Sequence, residues 1–274
     1  METRFPIGIF DSGYGGLTVL GEIKNKLPQY DYIYLGDNAR TPYGTRSFET
    51  VYKFTLESVT RLFEMGCRLV ILACNTSSAK ALRTIQQKYL PENYPERRVL
   101  GVIRPTTEII GKITQTKNVG ILGTSGTVSS NSYKIEINHF FPDINVYQQE
   151  CPIWVPLVEN NEHNNDGTDY FIKKYIDLLM QQEENIDTIL LGCTHYPLLL
   201  DKINKYIKPG INIMVQGSIV ARSLLDYLNR HPEIENKCSK KGITDFYTTD
   251  SSEQFDKRAS VFYKEPIKSK HLEV

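Results

Sequence analysis

The chain has 274 residues, 40% of them hydrophobic and 23% charged, the make-up of an ordinary globular protein with one large or two modest domains. Its 32 basic and 32 acidic residues cancel, so neither nucleic acid nor an anionic membrane is expected as a partner. No apolar run approaches the roughly 20 residues that span a bilayer, and the start lacks the charged and apolar regions of a signal peptide, so a cytoplasmic location is expected.

Strand-like apolar runs alternate with amphipathic runs almost throughout, which predicts an α/β fold on mainly parallel sheets flanked by helices. Residues 5–10 read as the first strand. The loop Asp11-Ser12-Gly13-Tyr14-Gly15-Gly16 follows, then a helix over 17–26. Strand 32–35 runs into the polar, turn-rich segment Gly36-Asp37-Asn38-Ala39-Arg40-Thr41-Pro42-Tyr43-Gly44. Ser47 is placed to cap a helix reaching Met65, with Val51, Phe54, Val59, Leu62 and Phe63 on one face and Gly66 ending it. Strand 69–72 leads to Cys74, and Asn75, Thr76 and Ser77 are cap-type residues before a helix to about 89. Pro91, Pro95 and the Arg97-Arg98 pair then break the pattern, which places a domain boundary after 97.

The second unit is expected over 98–208. It opens with strand 99–103, Arg104-Pro105 leading a helix, and strand 119–122 before the loop Gly123-Thr124-Ser125-Gly126-Thr127. Strand 144–149 ends at Glu150-Cys151-Pro152. The Asn-rich loop 159–166 precedes a helix over 170–182. Strand 188–191 then ends at Gly192-Cys193-Thr194-His195, and Tyr196-Pro197 opens a helix. Pro209-Gly210 closes the unit, and 209–274 is expected to complete the first domain with a run at 211–215, a helix at 218–229, strand 245–248 and a last helix. The final eight or so residues read as unstructured.

Five cysteines, widely spaced and without a C-x-x-C pair, fit free thiols in a reducing compartment rather than a disulfide framework or zinc ribbon. Cys67, Cys151 and Cys238 read as core. Cys74 and Cys193 differ, because each follows an apolar strand and precedes a hydroxyl-rich helix start. Upstream of each lies a similar strand and loop, Gly8-Ile9-Phe10-Asp11-Ser12-Gly13 and Gly120-Ile121-Leu122-Gly123-Thr124-Ser125. Two such halves suggest an internal duplication with one thiol in each, facing across a cleft at strand C-termini, where open α/β sheets bind ligands. A helix N-terminus above each sulfur is expected to favour thiolate.

Two opposed thiols suit stereoinversion: one thiolate removes a proton from an acidic carbon while the other thiol protonates the opposite face. His195 and Glu150 are the expected partners in the second half, and Asp11 in the first. Ser12, Asn75, Thr76, Thr124, Thr127 and Thr194 make an uncharged, donor-rich lining suited to a substrate carboxylate. Two readings of other classes remain: a non-catalytic small-anion module with two helix-end pockets, and a metal site at Cys193 and His195, for which no further ligand cluster is evident. The glycines at 13–16 match neither G-x-G-x-x-G nor a P-loop.

At these residues the sequence resembles the aspartate/glutamate racemase superfamily, and within it the glutamate racemases. The resemblance rests on Gly8-Ile9-Phe10-Asp11-Ser12-Gly13-Tyr14-Gly15-Gly16, Gly36-Asp37 through Arg40 to Pro42-Tyr43-Gly44, Ala73-Cys74-Asn75-Thr76, Gly192-Cys193-Thr194-His195-Tyr196-Pro197 and Phe246-Tyr247-Thr248-Thr249-Asp250. It implies two pseudo-symmetric α/β domains with the active site in the interdomain cleft, and racemisation without pyridoxal phosphate, metal or other cofactor. Cys74 and Cys193 would each work on one enantiomer, assisted by Asp11, His195 and Glu150. Asp11, Ser12, Pro42, Tyr43, Gly44, Asn75, Thr76, Thr124, Thr127, Thr194 and His195 would line the glutamate site. It further implies D-glutamate for peptidoglycan, and a homodimer. Aspartate racemase, or another amino-acid racemase of the superfamily, is the neighbouring alternative. Many relatives have Asp-Ser where this chain has Gln216-Gly217, and often Gly where it has Thr106.

Overall fold

The computed structural model describes residues 4–274. The strands are β1 (Ile7–Asp11), β2 (Tyr32–Gly36), β3 (Leu69–Leu72), β4 (Arg98–Gly101), β5 (Asn118–Gly123), β6 (Asn145–Glu150), β7 (Thr188–Gly192), β8 (Asn212–Met214), β9 (Thr244–Thr248) and β10 (Ser269–His271). They form two sheets, six strands in the order β10-β9-β2-β1-β3-β4 and four in the order β6-β5-β7-β8. Each pairing is parallel. Every residue of β1, β2, β3 and β7 is buried, as expected of apolar runs covered by helices on both faces.

The two sheets share one plan. The order β2-β1-β3-β4 recurs as β6-β5-β7-β8, so β1 corresponds to β5 and β3 to β7. The duplication seen around Gly8 and Gly120 is thus a repeat of four strands, with the cysteine after the third. This explains where the strands depart from the expected division. Arg98–Gly101, expected to open the second unit, pairs with β3 in the first sheet. Asn212–Met214, expected in the returning segment, pairs with β7 in the second. Each repeat carries one strand beyond its cysteine.

Local chemistry accounts for the helices. Ser47 accepts a hydrogen bond from the Thr50 N–H at 3.2 Å and starts the Phe48–Glu64 helix, whose Val51, Val59, Leu62 and Phe63 are buried. Gly66 ends it at φ +98°, a conformation that suits glycine. The expected single helix to residue 89 is broken: Asn75–Lys80 is followed by Leu82–Thr84, a π-helical turn at Ile85–Tyr89, and Leu90–Asn93. Tyr196–Leu199 is a 3-10 turn leading into the Leu200–Tyr206 helix. The tail expected to be unstructured adds β10 to the open edge of β9, Ser269 opposite Phe246. The sheets share one apolar cluster, running from Ile7, Ile9 and Leu17 through Val102 to Trp154, Ile189 and Leu191.

Candidate active site

The strand register brings the functional loops together. Phe10 lies opposite Leu72, so Asp11 and Cys74 leave adjacent strand ends. Leu122 lies opposite Leu191, so Thr124 and Cys193 do the same in the other sheet. In each sheet the first strand of the repeat sits between the second and third, the crevice where such sheets bind ligands.

Cys74 is the N-cap of the Asn75–Lys80 helix: its sulfur accepts from the Ser77 N–H at 3.4 Å and donates to Ser12 Oγ at 3.5 Å. The helix end was expected to draw the thiol toward thiolate. Burial outweighs it, and with the nearby Asp11 charge pushes the thiol up to about 11. Asp11 is itself buried. Burial raises its carboxyl pKa, while the His195 charge and the N–H groups of Gly13 and Gly16 pull the other way. Its oxygens accept from the Gly13 N–H at 2.9 Å and the Thr194 hydroxyl at 3.4 Å, so it reaches across to the Cys193 loop.

On the second side, Cys193 Sγ lies 3.8 Å from His195 Nδ1, and His195 Nε2 lies 3.0 Å from Glu159 Oε1. Burial opposes the charge on this imidazole, but the bonds to Cys193 and Glu159 outweigh it and push it up to about 10. The Phe262 ring stands edge-on to His195, at 5.3 Å between centroids. Tyr14 stacks on Phe262 and Phe255 at 5.7 and 5.2 Å. Gly15 passes so close that a methyl there would meet Thr194 and His195.

Glu159 is the residue that sequence reading missed. Glu150, expected as the second carboxylate, is exposed at the end of β6, and the His195 bond goes to Glu159 at the end of the Trp154–Glu159 helix. Nothing in the local pattern separates Glu159 from Glu162, three residues on. Three of the expected hydroxyl residues, Thr76, Thr124 and Thr127, meet across the two halves. Thr76 Oγ1 lies 3.0 Å from Thr124 Oγ1 and 3.5 Å from Thr127 Oγ1, and Gly44 O accepts from the Gly126 N–H at 2.7 Å. Tyr43 is buried, its hydroxyl donating to the Asp37 carboxylate, which also accepts from Arg40 Nε at 2.7 Å and Thr249 Oγ1 at 2.8 Å. These bonds brace the turn whose Gly44 carbonyl meets the Gly126 N–H of the opposite domain. Pro42 is exposed. All five cysteines are buried, so burial alone does not set Cys67, Cys151 and Cys238 apart from Cys74 and Cys193. Among the described residues, no three His, Cys, Asp or Glu side chains gather as metal ligands, and no helix is long and apolar enough to cross a membrane.

The family described as Asp/Glu/Hydantoin racemase matches residues 18–219. A glutamate racemase from Persephonella marina is 38% identical over 98% of this chain and 97% of its own. Among solved structures, a glutamate racemase isoform from Bacillus anthracis aligns with TM-score 0.89 at 32% identity, covering 100% of this chain and 99% of that one. The glutamate racemase from Francisella tularensis, solved in complex with D-glutamate, aligns with TM-score 0.86 at 29% identity over 100% of this chain and 98% of that one.

Proposed function

Since the chain belongs to the Asp/Glu/Hydantoin racemase family, we propose that it interconverts L- and D-glutamate, with Cys74 and Cys193 as the two acid–base groups on opposite faces of Cα. One thiolate takes the Cα proton: the C–H bond breaks, an S–H bond forms, and the electron pair spreads into the α-carboxylate. The other thiol then delivers its proton to the opposite face. The product is the mirror image, and the two sulfurs have exchanged protonation states. No cofactor enters this scheme.

The observation that carries the reading is the equivalence of the two cysteines, each at the end of the third strand of its repeat and each beside its own polar partners. Asp11 serves the Cys74 side. His195, held by Glu159, serves the Cys193 side and replaces the expected Glu150 in that pairing. Ser12, Asn75, Thr76, Thr124, Thr127, Thr194 and the Tyr43-Gly44 turn offer donors to the carboxylates. D-Glutamate bound in the Francisella relative supports glutamate as the substrate. The product would supply peptidoglycan synthesis. A homodimer and a cytoplasmic location are inferred from the family, and sedimentation velocity and cell fractionation read them out.

The test is Cys74→Ser and Cys193→Ser, each nearly isosteric. Each is expected to abolish interconversion while circular dichroism and thermal unfolding stay those of the unmodified protein. In the unmodified protein, solvent deuterium should enter Cα during turnover. Racemisation surviving in both variants would reject the assignment.

A further inference from the structure

Asn75 follows Cys74 directly, and its amide is part of a buried ring of hydrogen bonds that spans both halves of the molecule. The partners are Tyr133, on the Ser132–Phe140 helix after β5, and Gln216, immediately before the Gly217–Arg230 helix. Gln216 Nε2 lies 3.1 Å from the carbonyl oxygen of Val102 and 2.8 Å from the Tyr133 oxygen. A backbone carbonyl only accepts, so the Gln216 atom facing it is the nitrogen. That anchor sets the polarity of the whole ring, including amide orientations that heavy-atom positions alone leave open.

Gln216 Oε1 must then face Asn75 Nδ2, 2.6 Å away, and accept from it. Tyr133, having accepted from Gln216, turns its single O–H to Asn75 Oδ1. With Asn75 reversed, two amide oxygens would stand at the 2.6 Å contact and the Tyr133 O–H could turn only to the Thr106 hydroxyl. All three side chains are buried, so water is not at hand to make up the loss. The ring therefore engages Asn75 Oδ1 and one N–H, and leaves the second N–H as the one donor of that amide to offer.

We propose that Gln216 and Tyr133 are positioning residues that lock the Asn75 amide so that it presents a hydrogen-bond donor to a substrate carboxylate. This rests on the substrate site proposed above. The lock joins the Cys74 helix to the opposite domain through Tyr133, so the donor is set only when the two halves are assembled.

The test is a pair of thermodynamic cycles: Gln216→Met and Tyr133→Phe, each made in the unmodified protein and in Asn75→Ala, with KM and kcat for glutamate measured throughout. Gln216→Met keeps length and volume but loses the polarity, and is expected to raise KM about tenfold with kcat within about twofold, the signature of lost binding shared by ground and transition states. Tyr133→Phe removes one oxygen and should raise KM about threefold in the same way. In the Asn75→Ala background neither substitution should add more than about twofold, since both act through Asn75. An unchanged KM in Gln216→Met, or equal increments with and without Asn75, overturns the lock. If Gln216→Met does not fold, Tyr133→Phe decides by the same two criteria. These outcomes are separate from failure of the racemase reading, which would show as an unmodified protein without activity or as active Cys→Ser variants.

Discussion

Gly15→Ala tests whether the Cys193 side works through the placement of His195. Gly15 has ordinary right-handed helical dihedrals, φ −57° and ψ −37°, so alanine meets no backbone objection there. The obstacle is space: the added carbon would lie 2.2 Å from Thr194 Oγ1, 2.5 Å from His195 Nδ1 and 2.7 Å from His195 Cε1. Non-bonded carbons settle at about 3.5–4.0 Å, so the imidazole or the loop must retreat by about 1 Å. A displacement of that size at a positioned group costs on the order of 100-fold in rate, about 2.7 kcal/mol of barrier. The overpacking itself costs about 1–3 kcal/mol of stability. Polarimetric or coupled assays should show kcat/KM for D- and L-glutamate falling together by about 100-fold, because the enantiomers are equal in energy. With Cα-deuterated substrates, the primary isotope effect on kcat should rise in one direction only, the one in which Cys193 removes the proton. A Gly15→Ala protein with full activity would refute the claim that this contact holds His195 in a working position.

Removing the Glu159 charge should lower the His195 pKa from its raised value of about 10. A histidine whose folded pKa is raised contributes stability in full below its unfolded value of about 6.5 and loses it as pH rises toward 10. Glu159→Gln should therefore melt lower than the unmodified protein between about pH 6 and 8, with the gap closing as pH approaches 10, and a gap independent of pH would refute this. Burial and Asp11 push the Cys74 thiol up to about 11, so at pH 8 its thiolate fraction is on the order of 100-fold below that of an ordinary cysteine. Iodoacetamide labelling of Cys74, followed by peptide mass spectrometry, should be slower by about tenfold or more, since the more basic thiolate is also the better nucleophile, and labelling at the rate of free cysteine would contradict it. Leu191→Ala empties a fully packed position two residues before Cys193 and should cost about 2–5 kcal/mol in urea unfolding. A loss below about 1 kcal/mol would show that the strand beneath the cysteine is not tightly packed.

Much of the site was legible because its signals are local. An apolar run, a small residue, a cysteine and a string of cap-type side chains each follow from neighbours within a few positions, and they predict both strand-end thiols and the Ser47 cap. The repeat of Gly8 to Ser12 at Gly120 to Thr124 announces the matching halves for the same reason. Strand membership is not local. The short segments at Arg98 and Asn212 look alike as extended chain, and only the free edges of β3 and β7 decide which sheet each joins.

Sequence alone determined the α/β alternation, the duplicated unit and the two cysteines with their donor-rich loops, since backbone preference and burial periodicity are written within a turn or a strand. Tertiary structure alone decided that Glu159 rather than Glu150 holds His195, that Cys74 rests as a raised thiol, and that Asn75 closes a ring with Tyr133 and Gln216. Those outcomes depend on which distant side chains a charge or amide meets once water has been excluded. Chain folding, not neighbouring sequence, sets that company.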